Sequence, residues 1–472
     1  MNRSSRGWTL ALTSIAFVMV TLDALVVVTA LPAIHREFGG DLAQLEWTIN
    51  AFTLTFAAGI ITAAALGDRF GRRRIFVLGL GLFTAASAAC ALAPDAAVLV
   101  AARAVQGLGA AMVMPLSLTI LVAAFPPERR GAIIGIWGAL GGLGVAGGPL
   151  VGGAITQGLD WHWIFWVNVP VGVVATLLAR VLLSESHGPT TRLDLSAAAL
   201  MSAGAIAIIW GLIRAGDVGW GSGQVIVSLV VGVVLITGFL AWERRATHPM
   251  LPLRLFASRG FAAANVTAFL MSGAISAAAF LISQYFQFGL GFSPLGTGLR
   301  LLPWTATPLL IAPLAGLLSD RFGARPVLVT GMALQGVGLA WIALIAAVGV
   351  AYGGFVLPLI IAGVGISMAL PVVSTAIVTA VAHHDMGKAS GVNSTLQRFG
   401  GAFAIAVAAA VFTANGHLGS ALAFSTGFRP ALGVVAVLSV IGAISALGVN
   451  GRRQLPTTVA QPELVEPVAA AS

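Results

Sequence analysis

Two residues carry the strongest chemical signal in this 472-residue chain, Asp23 and Arg103. Of 16 acidic residues, only Asp23 sits well inside a long apolar run, with Val18-Met19-Val20 before it and Leu25-Val26-Val27 after it. A carboxylate in hydrocarbon costs several kcal/mol unless it is protonated, paired or hydrated. Apolar surroundings favour the neutral acid, which suits a group that loads and unloads protons. Arg103 is the natural partner. Asp23 lies nine residues before Pro32, near the outer end of its run, and Arg103 lies about six residues into the fourth run from the same side. At ~1.5 Å per helical residue these depths are roughly 13 and 9 Å, a gap that long side chains close. The spacing predicts an Asp23–Arg103 contact, either one that changes with protons or substrate or a static ion pair.

Apolar helices must hold those residues. The chain is 58% hydrophobic and 9% charged, with mean hydropathy +0.98, whereas soluble domains carry roughly a quarter charged residues. Runs of about twenty apolar residues have the length of a bilayer-crossing helix. The expectation is an all-α polytopic membrane protein with 14 transmembrane helices, at 8–31, 47–66, 75–93, 97–125, 132–156, 163–183, 195–213, 225–242, 261–288, 295–318, 327–348, 355–382, 392–414 and 431–449. With the amino terminus in the cytoplasm, the inner segments hold most of the arginines and Lys388, while the outer loops hold only Arg36, Arg214 and Arg429. This positive-inside bias predicts a multi-pass protein of the cell's inner (plasma) membrane with both termini cytoplasmic. The net charge of +9 is then topological, and no nucleic-acid partner is expected. Trp47, Trp161, Trp163, Trp166 and Trp220 fall near the outer interface, and Trp8 and Trp242 near the inner one. The lone Cys90 excludes an intramolecular disulfide.

The chain also repeats itself. Gly67-Asp68-Arg69-Phe70-Gly71-Arg72-Arg73-Arg74 recurs as Ser319-Asp320-Arg321-Phe322-Gly323-Ala324-Arg325, an offset of 252. Gly107-Leu108-Gly109 with Pro115 recurs as Gly363-Val364-Gly365 with Pro371, an offset of 256. These matches predict two pseudo-symmetric six-helix bundles, at 1–184 and 260–450, around a two-helix insert at 185–259. The tail at 451–472 has no apolar period and reads as a disordered cytoplasmic segment. A duplicated membrane machine of this kind mostly moves solutes. The short charged hinges suit docking in one conformation and release in the other, with Asp68 and Arg72 as a latch; Arg74 reads better as a lipid-headgroup anchor.

In the fifth run Gly144, Gly148 and Gly152 recur every four residues, with Pro149 among them. Such a stripe lets a neighbouring backbone approach closely, and the proline bends the helix. With these motifs in view, the chain resembles a transporter of the major facilitator superfamily over nearly its whole length, most closely the fourteen-span drug/proton antiporter branch. The first hinge resembles the loop signature Gly-x-x-x-Asp-Arg-x-Gly-Arg-Arg, with Asp68, Arg69, Gly71, Arg72 and Arg73 matching and Ala64 replacing the leading glycine. The second copy keeps that glycine as Gly316 and retains Asp320 and Arg321. Arg103-Ala104-Val105-Gln106-Gly107 is similar to the fourth-span signature, and the fifth-span glycine/proline run to that of antiporters. Leu22-Asp23, and Trp161-His162-Trp163 followed by Asn168-Val169-Pro170, resemble the fourteen-span branch.

The resemblance implies a proton-coupled exporter of small lipophilic compounds, such as antibiotics or dyes, working by alternating access. Asp23 and Arg103 would couple protons, the two hinges would gate, and Gly144, Gly148, Pro149 and Gly152 would form a pivot. Candidate substrate contacts are Asn50, Gln106, Gln284, Tyr285, Gln287, Trp304, Asn393, Gln397, Arg398 and Phe403, polar or aromatic groups within or near the spans. For Arg398, snorkelling to the inner face and lining a pocket stay open. The only lysine, Lys388, precedes Ala389, so there is no phosphate-binding Gly-Lys-Ser/Thr loop. No His-Glu-x-x-His occurs, so neither an enzyme nor a metal site is expected. The expected partners are a small-molecule substrate, protons and membrane lipid; no cofactor beyond the proton gradient is expected, and the chain should be a monomer. A proton symporter or uniporter on the same scaffold, or a non-transporting membrane sensor, remain the alternatives.

Overall fold

The structure, a computed structural model, describes residues 3–39, 42–187, 194–246, 253–381 and 386–450. The expected tail at 451–472 and parts of the 185–259 segment lie outside the described residues. The described chain is helical throughout: α1 (Arg3–Phe38), α2 (Leu42–Phe70), α3 (Arg72–Ala91), α4 (Ala96–Ala124), α5 (Pro127–Gly158), α6 (Trp163–Trp166), α7 (Asn168–Leu182), α8 (Leu195–Val218), α9 (Gly223–Arg245), α10 (Arg259–Gln284), α11 (Pro294–Thr305), α12 (Thr307–Phe322), α13 (Ala324–Ile345), α14 (Gly353–Thr379), α15 (Met386–Asn415) and α16 (Ala421–Ala446). A π-helical turn, Tyr285–Gly289, extends α10. Helix starts follow their caps: the side chains of Asp95, Ser258, Ser293 and Ser420 accept backbone N–H groups at the heads of α4, α10, α11 and α16.

Among the described residues, 11 helical segments are long and apolar enough to cross a membrane, or 12 when the bent segments Glu46–Ile60 and Thr62–Phe70 of α2 count as one. The count of 14 therefore exceeds what the described helices establish. α5 and α8, 32 and 24 residues long, are not among those segments; within α8 Ala199–Leu212 qualifies as a shorter apolar helix. Two expected spans are interrupted, the sixth between α6 and α7 and the tenth between α11 and α12.

The sequence repeat reappears as repeated packing. Gly71 and Gly323 both head a helix with positive φ, +110° and +88°, a region that favours glycine. Arg73 donates to Leu183 O at the end of α7 (3.2 Å), and Arg325, 252 positions later, donates to Val449 O beyond the end of α16 (2.8 Å). Gly107 abuts Phe52 O and Thr55 on α2, and Gly363, 256 residues on, abuts Trp304 O and Thr307, each 252 residues beyond its counterpart. Gly109 lies against Phe83 N and Gly79 O, and Gly365 against Gln335 N and Gly331 O, at the same two offsets. Helix pairs within each copy thus touch backbone to backbone at matching glycines.

α8 and α9 pack on each other through Gly204 and Gly232. α8 also covers the seam between α2 and α15, where Ile209 and Leu212 join Leu54, Ala57, Phe399, Ala402 and Ala406 in one apolar cluster.

Candidate functional site

Five helices, α1, α2, α3, α4 and α7, contribute to a network around the Asp23 carboxylate, which is fully buried. The Asp95 cap fixes the start of α4, where it accepts Val98 N–H at 2.8 Å. Arg103 follows eight residues later and Gln106 three after that, so both lie on one face. Asn168 opens α7. Its approach is pinned by Trp161, whose indole N–H donates to Glu37 at the end of α1 (2.6 Å). Trp161 is itself buried.

The groups form a closed network. Arg103 Nη1 donates to Asp23 Oδ2 at 2.5 Å. Gln106 Nε2 and Asn168 Nδ2 donate to Asp23 Oδ1 at 2.9 and 2.8 Å. Arg103 also donates to Gln106 Oε1 (2.6 Å) and, through Nε, to Thr48 O of α2 (3.0 Å). Gln106 reaches Ser87 of α3 at 2.8 Å. The Arg103 guanidinium lies over the Phe52 ring at 4.3 Å and near Phe165 at 5.7 Å, a cation–π contact. Charge-assisted bonds of this kind offset the desolvation of two buried charges only when nearly every donor and acceptor is used. One Arg103 nitrogen, Nη2, has no partner. In the second half the position matching Arg103 at the 256 offset is the buried Leu359, so the pair has no counterpart there.

The other candidates separate into groups. Gln106 belongs to the Asp23 network rather than to a separate pocket. Gln284 Nε2 and Ser283 Oγ donate to Val28 O of α1 (3.2 and 3.3 Å), and Gln287 Nε2 donates to Thr29 O (3.0 Å). Leu295 N–H donates to Gln157 Oε1 of α5 at 3.3 Å. These bonds join the two halves at the end away from the charged hinges. Tyr285 is fully buried, stacked on Phe428 at 4.3 Å, with its hydroxyl donating to Ala347 O; it belongs to an aromatic core. Trp304 is 4% exposed with an unpaired indole N–H, and Asn50 is fully buried with an unpaired amide. Gln397 Nε2 donates to Asn393 Oδ1 at 2.9 Å on α15. Arg398 lies over Phe56 of α2 at 4.3 Å, and Phe403 meets Phe269 at 5.7 Å.

The sequence profile of the Major Facilitator Superfamily matches residues 13–405 and 264–470. The chain belongs to this superfamily. Within the superfamily it is 34% identical, over 85% of its length and 75% of the relative's, to the tetracenomycin C resistance and export protein of Streptomyces glaucescens. It is 36% identical to the multidrug resistance protein Stp of Mycobacterium tuberculosis (88% of this chain, 77% of Stp). It is 33% identical to the cephamycin export protein CmcT of Amycolatopsis lactamdurans (92% and 90%). The fold is similar to the peptide transporter POT crystallised with sulfate, at TM-score 0.68, 18% identity and 93% coverage of each chain. It is also similar to the nucleoside transporter NupG, at TM-score 0.63, 13% identity, and 93% and 99% coverage.

In this facilitator the glycine stripe faces α1. Gly144 lies against Thr21 and Val18 O, Gly148 against Leu25, and Gly152 against Val26 O and Thr29. The other side of α5 meets the second half, where a Cβ at Gly298 of α11 would sit 2.5 Å from Pro149 O. In the first hinge Asp68 at the end of α2 pairs with Arg72 at the head of α3 at 2.8 Å, four residues on. The hinge also docks on the chain after α7: Arg72 N–H donates to Ser186 O (2.9 Å) and Arg73 N–H to Glu185 Oε1 (2.9 Å). Arg73 and Arg74 flank the same carboxylate at 3.6 and 3.7 Å, so Arg74 has a protein partner as well as an exposed side chain. In the second hinge Arg321 lies over its neighbour Phe322 at 5.2 Å, and Arg325 makes the cross-helix bond.

Asn168, Ser87 and Glu185 are the residues that sequence reasoning left out of the site. Asn168 carried one signal, an amide heading a helix after an aromatic-rich turn. Glu185 carried none, because its partner lies 112 positions away.

Proposed function

We propose that this chain is a proton-coupled secondary exporter of small lipophilic compounds, antibiotics or dyes among them, working by alternating access. The observation that carries the reading is the single buried Asp23–Arg103–Gln106–Asn168 network. The named relatives, which resist or export antibiotics, support the substrate class and the direction. In this reading a proton adds to an Asp23 oxygen and removes the charge that faces Arg103. The cation keeps Gln106 Oε1 and Thr48 O as acceptors, and release of the proton restores the ion pair.

The remaining architecture follows the same reading: 14 spans, six-helix bundles at 1–184 and 260–450, an insert at 185–259, both termini and both hinges on the cytoplasmic side of the cell membrane, and a monomeric unit. The bonds from Gln284 and Gln287 to α1 then seal the outer end, and the hinges clasp the inner ends of each bundle. The α1–α5 and α5–α11 glycine contacts act as the bearing on which the halves rock, since small residues allow close sliding.

The test is efflux from proteoliposomes loaded with a panel of fluorescent lipophilic dyes. Asp23→Asn is expected to abolish efflux driven by a pH gradient while retaining dye counterflow. Gradient-driven efflux equal to that of the unaltered protein would remove Asp23 from the mechanism. In cells, a protonophore should raise dye accumulation; a fall would point to symport.

A further inference from the structure

Arg398 is a cation without a carboxylate. Among the described residues, the ion pairs at mid-membrane depth reduce to Asp23–Arg103, and Arg398 has only the face of Phe56. The two readings that its sequence position left open are separated by depth. Phe56 sits 14 residues from either end of α2, so a guanidinium 4.3 Å from that ring centroid lies at the helix midpoint. An arginine snorkelling from α15 would instead carry its head toward the hinge end, about 18 Å away along the 12 residues back to Met386. The Phe56 ring is fully buried, so the cation covers a dry surface. A ring face offsets only part of the cost of an arginine at this depth.

Asp23 is not available to it, because three N–H groups already occupy that carboxylate. With Asp23 ionised, the three mid-depth groups sum to one positive charge; with Asp23 protonated, to two. Among these three groups positive charge thus exceeds negative in either state. One turn before Arg398, Thr395 is buried with an unpaired hydroxyl, a second donor on that stretch of α15. Phe56 and Arg398 come from opposite halves and touch directly, so a group bound beside the Arg398 guanidinium sits at the seam between them. Phe52 meets Phe56 edge to face at 5.7 Å and underlies Arg103 at 4.3 Å, which joins this place to the proton site through two rings of one α2 turn.

We infer that Arg398 binds the acidic group, a carboxylate or ionised phenol, of an amphipathic substrate whose apolar body lies against the Phe56 side of the seam. Transport of that substrate rests on the export reading above; its binding does not.

Equilibrium binding to the purified full chain in detergent tests the assignment, with 1-pyrenebutyrate and its uncharged methyl ester as the probe pair. The unaltered protein should bind the acid about ten- to a hundredfold more tightly than the ester, the range of a charge-assisted bond. Arg398→Gln should erase that ratio and Arg398→Lys should keep part of it. Should Arg398→Gln fail to fold, displacement on the unaltered protein decides: 1-naphthoate should displace pyrenebutyrate and methyl 1-naphthoate should not. Equal binding of acid and ester, no binding of either, an unchanged ratio in a folded Arg398→Gln, or displacement by both naphthyl compounds would overturn the inference. Acid-selective binding without gradient-driven efflux would instead sink the export reading and leave the site standing.

Discussion

The energetic coupling between Asp23 and Arg103 gives the sharpest test of the buried network. Each side chain is fully buried, and the two meet at 2.5 Å. Arg103→Met leaves the carboxylate with only the Gln106 and Asn168 donors, and strips Thr48 O and Gln106 Oε1 of their charged donor. Asp23→Leu leaves the cation with two neutral acceptors and the Phe52 face. Breaking one side of a buried pair costs about 3–5 kcal/mol. That is about a hundredfold or more in the folding equilibrium. Replacing both partners by apolar groups of similar shape is often neutral. The double variant Asp23→Leu/Arg103→Met should therefore recover most of the loss, with a coupling energy of about 3 kcal/mol or more. Reversible unfolding of the four proteins from mixed micelles by graded SDS measures the cycle. The double variant should also lack gradient-driven efflux, because nothing remains to carry the proton. Three variants within about 1 kcal/mol of one another and of the parent would refute the reasoning. Coupled efflux by the double variant would separately remove the pair from transport.

Other consequences follow from single contacts. Gly71→Ala should lower stability by about 1–2 kcal/mol through its positive φ, and its Cβ, 2.8 Å from the Glu185 carboxyl, should loosen the hinge; thermal melts and turnover read both effects. Gly109→Ala places a Cβ 2.6 Å from Phe83 N, backbone that cannot yield, and should cost about 1–3 kcal/mol, whereas Gly433→Ala meets nothing within 4 Å and should be neutral in the same melt. Gln284→Leu with Gln287→Leu removes two bonds between the halves, about 1–3 kcal/mol together; spin-label distances between α1 and α10 should shift toward an opened end. Asp160, outside the spans, is held below the usual aspartate range by the His162 backbone N–H. Because its pKa is lowered on folding, that turn's contribution is present at neutral pH and fades as pH falls below about 4; Asp160→Asn should flatten that part of an acid-melting curve.

Legibility in the sequence follows the range of the interaction. Helices, hinges and the internal repeat are written in local pattern: apolar runs of span length, a charged glycine loop used twice, and glycines at offsets that reappear in the helix packing. The glycines at 107 and 363 were readable because a missing side chain matters wherever a backbone comes close. Asp23 stood out because one charge in an apolar run has few ways to exist. Its partner followed from similar depth, within reach of long side chains, since helix rise converts position into height. Gln284 and Gln287 read as hydrogen-bonding groups near a span's end, but height along a helix does not say which way a residue points, and their bonds to α1 appear only in the structure.

The sequence alone determined a helical membrane chain with a duplicated plan and one stranded carboxylate, because hydrophobic length, charge and small-residue spacing act within a few turns. Only the tertiary structure decided that Asn168 completes the Asp23 network, that Glu185 receives the first hinge, and that Arg398 rests on Phe56. Each of those contacts joins residues more than a hundred positions apart, and their meeting depends on how whole helices cross. Helix crossing is set by the summed packing of many side chains, which no single segment encodes.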